Sequence, residues 1–170
     1  MIVDLHKLNK IHEVSEKYAY ALVEPGVSFF ELYDYIKERN LNLWISTPAL
    51  GWGSVVGNTL DRGWGYTPMG DNCAFMCGLE VVMADGTILR TGKGQLEGAK
   101  TWNLFKNGYG PGFDGLFNQS NFGIVVKMVS FPSHLPSDKR ESGCILLQKV
   151  LCPVVLMSLK KATLNLCSIG

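Results

Sequence analysis

Residues 48–78 read P-A-L-G-W-G-S-V-V-G-N-T-L-D-R-G-W-G-Y-T-P-M-G-D-N-C-A-F-M-C-G. The stretch holds Gly51, Gly53, Gly57, Gly63, Gly65, Gly70 and Gly78. Glycine lets a backbone approach a ligand closely, at a cost in conformational entropy. A stretch that accepts this cost so often, and interleaves Ser54, Asn58, Thr59 and Thr67, is suited to laying backbone N–H groups against something flat or anionic. The plainer alternative is a long surface loop, although structureless loops of that length are uncommon and often functional.

Immediately upstream, residues 24–27 (E-P-G-V) read as a turn with Pro and Gly at its centre. Ser28 followed by Glu31 is a capping box. It opens a helix over 29–39 that carries Phe29, Leu32, Tyr33 and Ile36 at helical spacing, expected in the core. Asn40 is the expected stop, and 41–45 is a short strand feeding the glycine-rich stretch. Further back, 2–5 and 18–23 read as strands, the second with Tyr18, Tyr20 and Leu22 on one face. Downstream, 79–84 and 87–91 are β-rich and joined by Asp85-Gly86, a strong hairpin signal. A loop over 92–100 and a helical turn over 101–106 lead to a second glycine-rich stretch, 107–121, and then a strand over 122–131. Residues 132–143 have the composition of a linker. This order predicts an α+β fold without regular βαβ alternation.

The chain has 170 residues, 46% hydrophobic and 18% charged, with a net charge of +1. It is expected to be globular, and without a basic run it has no nucleic-acid footprint. Cys73 and Cys77 stand four apart, but no second Cys/His pair sits at zinc-site spacing. Free thiols and no metal are the expectation. No secretory signal or membrane-spanning segment is read, so cytoplasmic localisation is favoured. No G-x-G-x-x-G stands at a strand-to-helix turn, no G-K-[ST] occurs, and no G-x-S-x-G accompanies the three histidines. Asp61 and Arg62 are expected to form a loop ion pair.

Four motifs occur in order: residues 48–71, then G-L-E-V-V-M-A-D-G-T-I-L-R-T-G-K-G, then Y-G-P-G-F-D-G-L-F-N-Q-S-N-F-G-I-V-V-K, with A-L-V-E-P-G-V-S-F-F-E-L-Y-D-Y-I upstream. Together they resemble the FAD-binding domain of the vanillyl-alcohol oxidase and para-cresol methylhydroxylase flavoproteins. G-Y-T-P-x-G-D and Y-G-P-x-x-D-G-L-F point to the branch acting on para-substituted phenols. The resemblance implies a PCMH-type α+β FAD domain, with the flavin lying across 51–71 and the second loop. Pro48, Gly51, Gly53, Ser54, Gly57, Asn58, Gly65 and Gly70 would face the cofactor. Pro25, Gly26 and Val27 would form the turn near the adenine. Gly123, Ile124 and Val125 would meet the flavin ring edge. Asp71 matches the family's acidic residue near flavin N5, where it would stabilise charge or act as acid/base. The plainer reading of Asp71 is a loop aspartate capping a turn. The implied reaction binds a para-alkyl phenol as phenolate and passes a hydride from its benzylic carbon to flavin N5, leaving a quinone methide. The implied partners are the phenolic substrate and a second copy of the chain or a cytochrome.

The sequence departs from that family at the triple glycine, here Gly51-Trp52-Gly53, and at Met69, Asn72, Cys73 and Met76. The family's first pyrophosphate loop and most of its substrate domain are not matched. The expected organisation is an FAD-binding domain over 1–132, a linker over 133–143 and the start of a cap domain over 144–170, apparently part of a longer enzyme. A catalytically inactive flavin- or partner-binding fragment is the alternative, and a misfolded truncation the third.

Overall fold

The structure, a computed structural model, describes residues 2–134 apart from 68, 69, 97, 100, 109 and 131. The cap region expected over 144–170 lies outside the described residues. So do Met69 and all of the expected linker except Ser133 and His134.

Five strands form one antiparallel sheet in the order β1-β2-β6-β4-β5. They are β1 (Ile11–Ser15), β2 (Tyr20–Val23), β4 (Met76–Met83), β5 (Ile88–Arg90) and β6 (Gly123–Ser130). A second, two-stranded sheet pairs β3 (Leu43–Trp44) with β7 (Ser133–His134). The first strand differs from the expectation. Residues 2–5 form no strand, and β1 lies at 11–15 instead. Tyr18 belongs to the turn before β2 and is half exposed.

Helix α1 (Phe29–Glu38) begins where the capping box places it. Ser28 Oγ accepts from Glu31 N–H at 3.2 Å, and the Glu31 carboxylate accepts from Ser28 N–H at 2.7 Å. Its end is a Schellman motif, with Asn40 at φ 52°. Asn40 N–H donates to Lys37 O and Leu41 N–H to Ile36 O. Phe29, Leu32 and Ile36 are buried. Tyr33 is not core: it faces solvent, with the Lys37 ammonium 5.9 Å from its ring centre.

Helix α2 (Val55–Leu60) lies inside the stretch that reads as loop. Ser54 caps its start, and Val55, Val56 and Thr59 are buried. The helices pack on one side of the main sheet, against Ala21, Val23, Leu79, Val81, Val125 and Met128. Each such buried Val, Leu or Met side chain contributes roughly 1.5–3 kcal/mol. Tyr20, Cys77 and Val129 form a smaller cluster with Leu22 and Leu104. Cys77 and Leu79 fall in different clusters although they are two apart in one strand. The pairing of β4 with β6 slips between Met76 and Leu79, where Gly78 has φ 77°, and such a slip redirects side chains. The β4–β5 hairpin turns at Gly86, with φ 84° and Gly86 N–H donating to Met83 O. Among the described residues no helix is long and apolar enough to cross a membrane.

Candidate functional site

The 24–27 turn and the glycine-rich stretch are stitched together by backbone. Val55 N–H donates to Val27 O, Phe29 N–H to Gly53 O and Phe30 N–H to Gly51 O. Ser54 Oγ accepts from Gly57 N–H at 2.9 Å and donates to Pro25 O. The turn is fixed from the other side by Glu24, whose carboxylate accepts from Lys10 N–H at 2.9 Å and pairs with His12 Nε2 at 2.8 Å. Pro25 and Val27 are buried. A Cβ on Gly26 would meet the carbonyls of His6 and Leu8, so this glycine accommodates the chain's own backbone.

The same test separates the glycines of the 48–78 stretch. A Cβ on Gly51 would strike the Phe30 ring, on Gly63 the Asn58 carboxamide, on Gly65 Ser46 Oγ, and on Gly70 the Trp64 indole. These four are required by internal packing. Gly53 and Gly57 are different: the nearest atoms to their Cβ positions are 3.4 Å away, Leu50 O and Ser54 Cβ. There a side chain would fit, although Gly53 N–H already donates to Leu50 O and Gly57 N–H to Ser54 Oγ. Asn58, expected at the cofactor, accepts from Asn72 Nδ2 at 2.8 Å and so ties α2 to the turn that follows Asp71. Pro48 is half buried in the segment between β3 and Gly51.

Trp64 and Asp71 form an isolated bridge, with Gly65 N–H donating to Gly70 O. Asp71 Oδ1 accepts from Cys73 N–H at 3.1 Å and from Ala74 N–H at 3.2 Å. Its Oδ2 has no described hydrogen bond. The aspartate is thus a turn cap on one oxygen, with the other left over. The second glycine-rich stretch docks beside it. Asn118 Nδ2 lies 2.9 Å from Cys73 Sγ, and Gln119 N–H donates to Leu60 O. The Lys106 ammonium lies 3.2 Å from Ala74 O. Asn118 and Gln119 belong to the second glycine-rich stretch, expected beside the flavin but with no role assigned to either residue, and Lys106, just before that stretch, was not expected at the site.

Asp61 and Arg62 do not form the expected ion pair. Asp61 accepts from Gln119 Nε2 at 3.3 Å and caps α2, while Arg62 takes φ 56° in a second Schellman motif, with Gly63 N–H donating to Asn58 O.

Gly123, Ile124 and Val125 stand apart from Asp71. Gly123 pairs with Met83 and Ser130 with Met76, so the start of β6 lies at the far end of β4 from Met76, about 20 Å along the strand at roughly 3.3 Å per residue. Val125 is buried in the core, Ile124 is partly exposed, and the Cβ position of Gly123 is filled by Val81.

A cavity of about 20 Å³ lies between α1, α2 and the 72–75 turn, lined by Phe29, Leu32, Val55, Thr59, Asn72 and Phe75 among others. It has room for about one water. That cavity is too small for a flavin, and a cofactor would lie outside its lining, where the unfilled Cβ positions of Gly53 and Gly57 and the spare oxygen of Asp71 are suited to meeting it.

Nearby, burial pushes the Cys77 thiol up to about 12, with Asp114 adding to the effect. Burial also raises the Tyr20 hydroxyl, which donates to Glu13. On the sheet, burial opposes ionisation of Glu80. Lys127 Nζ and Arg90 Nε, each at 2.8 Å, outweigh it and hold the carboxyl below its ordinary value. Cys73 and Cys77 are free thiols, and among the described residues no cluster of His, Cys, Asp and Glu could hold a metal ion.

This arrangement is that of a flavoprotein domain, and the sequence agrees. Residues 1–92 match the family model described as FAD binding domain, and the chain belongs to that family, whose cofactor is FAD. The chain is 51% identical over 129 residues to the 4-cresol dehydrogenase [hydroxylating] flavoprotein subunit of Pseudomonas putida, covering 75% of this chain and 25% of that protein. It is 40% identical over 129 residues to 1'-carboxy-chondrochloren decarboxylase of Chondromyces crocatus, covering 75% and 24%. Among solved structures, p-cresol methylhydroxylase with substrate bound superposes with a TM-score of 0.78 at 48% identity, covering 80% of this chain and 27% of that one. The 4-ethylphenol oxidase from Gulosibacter chungangensis, in its isoeugenol complex, gives 0.77 at 46%, covering 79% and 26%. The fold is the PCMH-type α+β FAD-binding domain, in part. The chain spans about a quarter of the length of these relatives.

Proposed function

We propose that this chain supplies one wall of the FAD site in an oxidoreductase acting on para-substituted phenols. The observation that carries the reading is the Asp71 turn. Two backbone N–H groups hold Oδ1, the Lys106 ammonium and Asn118 brace the turn, and Oδ2 is left over to accept a hydrogen bond or a proton. Bound FAD would supply the hydride acceptor for oxidation at the benzylic carbon of the phenol. Asp71 positions charge beside that chemistry, because a carboxylate fixed by two backbone donors cannot swing away. Gly53 and Gly57 let the cofactor approach the backbone. Ser54 serves indirectly, by joining α2 to the 24–27 turn. The identity with the 4-cresol dehydrogenase flavoprotein subunit supports the phenolic substrate class, and a cytochrome or a second copy as partner belongs to the same proposal.

A second reading is flavin binding without turnover. It is favoured by the small size of the cavity between α1, α2 and the 72–75 turn, which holds about one water. Catalysis needs positioned groups on both sides of the reacting carbon. One experiment separates the two. The purified chain is mixed with FAD, desalted, and its visible spectrum recorded before and after anaerobic addition of 4-cresol. Retained flavin that bleaches is the expected result. Retained flavin that does not bleach selects the second reading, and loss of all flavin on desalting refutes both.

A further inference from the structure

Trp52 is 70% exposed, yet its ring is held in place. It meets the Phe30 ring edge-on, with centroids 4.8 Å apart and planes at 81°. Phe30 is itself held against the residue before Trp52. A Cβ on Gly51 would lie 2.7 Å from Cε1 and Cζ of that ring, and Phe30 N–H donates to Gly51 O at 3.1 Å. The first turn of α1 therefore inserts an aromatic ring against the 51–53 segment and fixes the indole there. Most of the indole surface is nonetheless left to solvent, which is unfavourable for so large an apolar side chain.

The unfilled Cβ positions begin at the next residue. Gly53 has room at its Cβ position, and so does Gly57 one helical turn further on. Leu50, more than half exposed, extends the apolar edge. A held, largely exposed aromatic side chain beside glycines whose Cβ positions are unfilled is a setting in which a planar heterocycle stacks. We propose that Trp52 is a stacking platform for a planar nitrogen heterocycle of FAD, adenine or isoalloxazine, and that Phe30 positions it. This rests on the FAD reading above.

The test is equilibrium binding of FAD, riboflavin and AMP to the chain and to its Trp52→Ala and Trp52→Phe variants, with far-ultraviolet circular dichroism confirming that all three fold alike. Stacking on an aromatic side chain predicts that Trp52→Ala raises the Kd for FAD at least about fivefold and that Trp52→Phe recovers most of the loss. A parallel loss for riboflavin assigns the isoalloxazine, and a parallel loss for AMP the adenine. A loss for FAD with neither fragment affected overturns stacking, as does an equal Kd for FAD in all three proteins, and both outcomes leave the FAD reading intact. Absence of FAD binding by the unaltered chain overturns the two together.

Discussion

Replacing Ser54 tests how the wall is assembled, because its hydroxyl makes two separable bonds. As acceptor it caps α2 through Gly57 N–H at 2.9 Å, and as donor it reaches Pro25 O in the 24–27 turn. Loss of an N-cap costs about 1 kcal/mol. Loss of a hydrogen bond to a partly buried carbonyl costs about 1 kcal/mol more. Ser54→Ala is therefore expected to destabilise the chain by about 2 kcal/mol. At a urea m-value of about 2 kcal/mol/M, the midpoint falls by about 1 M with m unchanged. Ser54→Asp keeps the acceptor and loses the donor, so it should fall by about half as much. Ser54→Thr keeps both and should lie close to the unaltered chain. Urea unfolding followed by circular dichroism measures all three. Ser54→Ala within 0.5 kcal/mol of the unaltered chain, a threshold on the order of ordinary surface substitutions, would refute the two-bond account. Equal losses for the Ala and Asp variants would remove the cap from it.

Glu80 has a carboxyl held low in the folded state, so its stabilisation is present above the ordinary carboxylate pKa of 4.5 and is lost as pH falls below it. Glu80→Gln should cost about 1–3 kcal/mol at pH 7, discounted because Arg90 is half exposed; at pH 3, urea midpoints of variant and parent should converge. The Cys77 thiol, raised to about 12 from 9.0, should resist iodoacetamide at pH 8 in the folded chain while the partly exposed Cys73 is modified, as read by peptide mass spectrometry. Stability should also decline above pH 9, because only the unfolded chain then ionises that thiol.

The elements with strong local chemistry were legible in the sequence. Ser28 and Glu31 announced α1, Asn40 its end and Asp85-Gly86 the hairpin, since each is decided within a few residues. β1 was hidden because its pairing with β2 slips between Ile11 and Glu13, which breaks the alternation that marks a strand. α2 was hidden because V-V-G-N-T-L combines β-branched residues with glycine, all weak helix formers; only Ser54 as a cap pointed to it. At the site, glycine content suggested ligand contact throughout. Packing accounts for Gly51, Gly63, Gly65 and Gly70, but not for Gly53 and Gly57. Which glycine does which depends on side chains elsewhere in the fold, such as Phe30 and Ser46. Asp71 was singled out by its motif, and Asn118 lay within another, but that Lys106 and Asn118 brace the Asp71 turn was not legible, because those contacts are tertiary.

The strand order β1-β2-β6-β4-β5 also constrains how the chain folds during synthesis. The β1–β2 and β4–β5 hairpins can each close locally as they emerge from the ribosome. They share no edge until β6, made last of the five, slots between β2 and β4. Until then two hairpin edges that end up as interior neighbours stand open to wrong pairing. The slow step should thus be insertion of residues 123–130, and substitutions that weaken β6 pairing should slow folding more than those in either hairpin turn.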